Sequence, residues 1–111
     1  MRAGVSLALG TDIALSSPDI KFHHDMNGRE FFLAVDAGMT LLQAIEAGTA
    51  TAPETLGPQA PRSGQLREGY DADFIALKRD PLDDITLLQE PSHITHVWKN
   101  GTQCKGSIKV H

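Results

Sequence analysis

Residues 4–13, "GVSLALGTDI", join a short apolar run to Gly-Thr-Asp. Val5 to Leu9 is apolar apart from Ser6, without the alternation of a half-exposed strand. Such a run predicts a strand over 5–10 covered on both faces, as in parallel sheets. A strand of that kind cannot stand alone, because its backbone donors and acceptors need neighbours on both sides. The chain therefore reads as incomplete, and ordered only as an oligomer or against a partner. Asp12 falls directly at the end of the run, where spacing alone suggests a turn or a helix cap.

Residues 12–26 carry Pro18 and no sustained period, which predicts a long loop of the kind that is usually functional or disordered. Three helix starts follow. Asn27 with Glu30, Thr40 with Gln43 and Thr51 with Glu54 have the spacing of capping boxes. Helices are predicted over 28–37, ending at Gly38, over 41–48, and as a short piece over 52–56. Gly48 within a helix costs about 1 kcal/mol against Ala, so a close approach of backbone is expected there.

A Pro/Ser/Gly-rich connector covers 58–64, and the signals then change to short strands over 73–77, 93–99 and 103–109. Asn100-Gly101 between the last two is a hairpin signal.

The chain has 111 residues, 41% of them hydrophobic and 5% aromatic, with a net charge of −4. That balance offers no basic stripe for a nucleic acid. A single cysteine, Cys104, excludes an internal disulfide framework and fits a reducing compartment. The N-terminal apolar stretch is too short for a signal peptide or a membrane span. A soluble, cytoplasmic protein is expected.

Four stretches carry a resemblance that covers nearly the whole chain. They are "ALGTDI", then "HDMNGREFFLAVDAGMTLLQAIEAGTATAPETLG", then "GQLREGYDADFIALKRDPLDDI" with Gly64, Leu66, Gly69, Ala72 and Asp73, and finally "ITHVWKNG". Together they resemble the C-terminal third of the amidohydrolase superfamily, most nearly its imidazolonepropionase and prolidase-like branch. The implied fold is α/β. Residues 1–57 would hold the last strand and helices of a (β/α)8 metallohydrolase barrel, 58–64 a linker, and 65–111 part of a small composite β-sandwich domain.

Catalytic residues of such barrels lie at the C-terminal strand ends, where Asp12 falls. The resemblance implies that Asp12 binds the active-site divalent metal, takes a proton from the attacking water and passes it to the leaving amine. It makes His24 a candidate for the substrate pocket and leaves His23 unassigned. The implied reaction is hydrolysis of a C–N bond in a small cyclic amide, a dipeptide or an N-acyl amino acid. The family's remaining ligands, His and a bridging Lys or Glu on other strands, have no counterpart in this sequence. A hydrolytic zinc ordinarily needs about three protein ligands. A divalent metal, taken as zinc, is thus expected in the complete enzyme and no tightly bound metal in this chain alone, which would be inactive. Its expected partners are an N-terminal barrel portion or further copies of itself, and a small-molecule substrate, with no nucleic acid and no membrane. The alternative is a non-catalytic structural or interaction module that pairs with another subunit.

Other chemistry-bearing residues have plainer readings. His93 and His96 on one strand would face opposite ways, which argues against a shared metal site. Asp80, Asp83 and Asp84 lack the spacing of a calcium loop and read as an acidic turn. Cys104 reads as a half-buried strand residue, and Phe31, Phe32 and Trp98 as core.

Overall fold

A computed structural model describes residues 3–12, 19 and 27–106. Helix α1 (Arg29–Asp36) and helix α2 (Leu41–Gly48) lie within a residue or so of their expected limits. Thr40 closes α2 reciprocally: the Gln43 amide donates to Thr40 Oγ1 at 3.1 Å and the Thr40 amide to Gln43 Oε1 at 2.9 Å. Two orphan donors are satisfied by one local pair.

The other two capping boxes do not form. At α1 the cap position belongs to Gly28, without a side-chain hydrogen bond. A Cβ at Gly28 would collide with the Leu88 carbonyl, so a tertiary contact sets the helix entry in place of Asn27. Thr51 has helical φ/ψ (−82°, −29°) and makes no cap bond. Capping needs an extended residue whose side chain turns back on the helix. A 3-10 segment, Ala52–Gln59, follows it and kinks at Gly57.

The three expected strands appear as β1 (Phe74–Leu77), β2 (Ile94–Lys99) and β3 (Thr102–Lys105). They form one antiparallel sheet in the order β1-β2-β3, with Phe74 opposite Trp98 and Lys99 opposite Thr102. Residues 107–109 of the expected last strand lie outside the described residues. Asn100 (φ 49°) and Gly101 (φ 77°) make the turn, and two successive left-handed residues match the twist of the flanking strands.

Asp73, just before β1, fastens this turn. Its Oδ2 accepts from Lys99 Nζ at 2.8 Å and its Oδ1 from the Asn100 amide at 2.7 Å. Lys99 first, and the Asn100 amide second, hold the Asp73 carboxyl below its ordinary range. The folded state then binds fewer protons than the unfolded one in acid. The stabilisation is therefore complete above about pH 4, the unfolded carboxyl's range, and is lost as pH falls through the lowered folded value. An NMR titration of the Asn100 amide should show this acid transition, and Asp73→Asn should abolish it.

The core is centred on a segment without a helix or strand signal in its sequence. After an acidic turn, in which Asp80 Oδ1 accepts from the Leu82 amide at 2.9 Å, a 3-10 helix runs over Ile85–Gln89. Asp84 caps it through the Thr86 amide at 3.0 Å. Ile85, Leu87 and Leu88 form the buried cluster, with Phe31, Phe32, Val35, Leu41, Ile45 and Leu77 packed around it. Phe31 and Phe32 thus fulfil their expected role. Trp98 instead stacks on Phe74 across the sheet, with ring centroids 4.4 Å apart.

The strand expected over 5–10 is not formed. Gly4 to Asp12 has no regular secondary structure, and Val5 is 64% exposed. Among the described residues no strand lies beside it, and an apolar run becomes a strand only when a neighbour accepts its ladder. A backbone bond from the Leu9 amide to the Ala47 carbonyl at 3.1 Å ties it to the helices.

Candidate active site

That bond docks the extended stretch on α2 three residues before Asp12. Leu9 Cδ1 also lies 3.4 Å from where a Cβ on Gly48 would stand, and the Phe31 ring occupies the rest of that space. The close approach expected at Gly48 is therefore real, but it is made with side chains. The stretch then passes a groove of about 250 Å³, walled by Leu9, Gly10 and Thr11 on one side and Asn27, Glu30, Phe31 and Gly48 on the other. Asp12 follows at once, exposed and with φ 53°. Few residues adopt that left-handed conformation readily, and Asp is among those that do.

Asn27 and Glu30 are the groove residues that sequence reasoning missed, because both were assigned to a cap. The local clue is the Asn-Gly pair, in which glycine takes the cap position and leaves the asparagine side chain to other uses. His24 lies outside the described residues. Among the described residues no group of three or more His, Cys, Asp or Glu could hold a metal ion. Asp12 offers one hard oxygen donor, which suits a divalent metal but does not by itself bind one.

His93 ends a 3-10 turn, Pro91–His93, outside the strand, so the two-residue period does not govern it. Its Nδ1 is enclosed without a hydrogen-bond partner. His96 lies on β2, with Nδ1 2.9 Å from Thr95 Oγ1 and its ring stacked 5.5 Å from Trp98. Cys104 on β3 is exposed, where a half-buried side chain was expected. A second, more apolar groove of about 530 Å³ separates helices from sheet, lined by Phe31, Gly48, Leu66, Phe74, Ile75 and Trp98 among others. Leu66 is 82% exposed there. No helix among the described residues is long and apolar enough to cross a membrane.

The family model described as "Amidohydrolase family" matches residues 1–104. The chain belongs to the amidohydrolase family. Ochratoxinase of Aspergillus niger is 52% identical over 107 residues, which are 96% of this chain and 21% of that protein. The crystal structure of A. niger ochratoxinase superposes with a TM-score of 0.81 at 53% identity, covering 95% of this chain and 23% of the other. A Xaa-Pro dipeptidase, solved with methionine in its active site, superposes with a TM-score of 0.75 at 31% identity, over 93% of this chain and 23% of that one. The chain thus spans about a fifth of the length of the amidohydrolases it matches. The helical part, the stretch that ends in Asp12 and all of the sheet but Lys105 fall inside the family match. The resemblance to prolidase-like members stands.

Proposed function

We propose that this chain is the C-terminal portion of a metal-dependent amidohydrolase that cleaves a C–N bond in a small cyclic amide, a dipeptide or an N-acyl amino acid. The observation that carries this reading is the identity of 52% with ochratoxinase across 96% of the chain. The likeness to a Xaa-Pro dipeptidase supports a peptide-like bond as the target. In this reading residues 1–57 complete a (β/α)8 barrel, 58–64 link, and 65–111 form part of a composite β-sandwich, in a cytoplasmic protein. The exposed apolar residues Val5, Leu66 and Ile75 would be covered by the N-terminal barrel portion or by a second copy.

Asp12 contributes one oxygen donor to a divalent metal, zinc by preference, whose other ligands come from outside this chain. A metal bound there supplies Lewis acidity and brings the pKa of the attacking water toward neutrality. Asp12 accepts a proton at one carboxylate oxygen and returns it to the leaving amine, a task suited to a carboxylate. His24 helps to bind the substrate.

The test compares this chain alone with the chain joined to, or co-expressed with, an N-terminal barrel portion. Metal content and release of amine from N-acyl amino acids, dipeptides and cyclic amides are measured. The complete protein is expected to bind metal and hydrolyse at least one class, and the chain alone to do neither. Absence of hydrolysis by a folded, metal-loaded complete protein overturns the assignment. Hydrolysis by this chain alone overturns its incompleteness.

A further inference from the structure

We propose that Gly48, by leaving room for the Phe31 ring beside Leu9, seats the stretch that leads to Asp12, which makes Gly48 a positioning residue for the reaction. The functional part of this inference rests on the reading of Asp12 given above. The seat itself rests on packing. Gly48 belongs to helix α2 and is not among the positive-φ glycines, so no unusual backbone angle calls for glycine there. Glycine within a helix is unfavourable by about 1 kcal/mol against Ala. What calls for it is space. A Cβ at this position would run into Cζ of Phe31, and it would touch Leu9 Cδ1 at 3.4 Å.

The adjoining residue of α2, Ala47, receives the Leu9 amide at 3.1 Å. Leu9 is therefore held twice over one turn of helix, by its amide on Ala47 and by its side chain at Gly48. Only Gly10 and Thr11 separate Leu9 from Asp12. Gly10 has no atom within 4 Å of its missing Cβ, so it provides no packing of its own. The chain therefore enters the turn to Asp12 from a fixed Leu9, with Thr11 against the groove between them. Displacements of about 1 Å in a reacting group can lower turnover about a hundredfold.

Amide exchange in the complete protein, with this chain joined to its N-terminal barrel portion, tests the seat directly. In Gly48→Ala the Leu9 amide should exchange about tenfold faster, as expected for loss of one local hydrogen bond. The Ala44 amide, bonded to the Thr40 carbonyl at 3.0 Å within the same helix, should change little. Adding Phe31→Leu to Gly48→Ala removes the ring atoms that the new methyl meets, and should return Leu9 to its original rate. Should Gly48→Ala fail to fold, the double variant is still expected to fold with Leu9 protected. The measurement does not depend on any activity, so it stands or falls separately from the role of Asp12. Unchanged exchange at Leu9 in Gly48→Ala, equal acceleration at Ala44, or a double variant with Leu9 unprotected or unfolded overturns the proposal.

Discussion

Replacing Asp12 by Asn in the complete hydrolase is expected to lower kcat by about two to four orders of magnitude, the range typical for loss of a general acid–base group. KM should stay nearly constant. The substitution removes a charge and a proton acceptor while preserving shape, so what is lost is needed in the transition state more than in substrate binding. Asn is also the right replacement for the backbone. Asp12 has φ 53°, and Asn tolerates left-handed φ as Asp does, whereas Ala would add strain to the chemical change. The same substitution in this chain alone should leave its melting temperature unmoved, because the side chain is exposed. Steady-state kinetics on the complete protein and calorimetry on the chain check the two halves. A large rise in KM with kcat intact would assign Asp12 to substrate binding instead.

Leu87→Ala should produce the largest loss of stability among single core substitutions. Leu87 is 1% exposed, at the centre of a cluster whose other buried members are Ile85 and Leu88. Truncating a buried Leu costs about 2–5 kcal/mol, because the transfer free energy is lost and a cavity remains. A core this thin has few neighbours able to collapse into the gap. Leu82 is the control: it lies in the acidic turn just before that 3-10 helix and is 45% exposed, so Leu82→Ala should stay within about 0.5 kcal/mol of the parent. Urea midpoints of the two variants, compared at equal slope, decide this. Equal effects would mean that Leu87 is not the centre of the core.

Signals that are local and self-contained were legible in the sequence. Helix α2 announces itself through Thr40 and Gln43, which satisfy each other wherever the rest of the chain goes. The β2–β3 hairpin is announced in the same way by Asn100-Gly101. Signals that depend on a partner misled. Asn27 has the spacing of a cap, but the contact between Gly28 and the Leu88 carbonyl decides the helix entry. Val5 to Leu9 has the composition of a buried strand, yet strand formation is a property of the neighbours. The 3-10 helix over Ile85–Gln89 was hidden for a different reason. Five residues are too few to display a period, and the acidic turn before them draws the eye to charge. Asp12 is singled out as a candidate only through its family setting, while Asn27 and Glu30, which wall the groove before it, are masked by a plausible local role.

The docking of Ile85–Gln89 on α1 also governs the order in which this chain can acquire structure. Phe31 and Leu87 are distant in sequence, and β1 lies between them. Closing that span costs loop entropy before any contact rewards it. The helices can therefore form only fleetingly on their own, since short isolated helices are marginal in water. They become durable when the segment beyond β1 arrives to cover their apolar side. Stability of the helices that hold the stretch before Asp12 is thus coupled to residues that follow it by most of the chain's length.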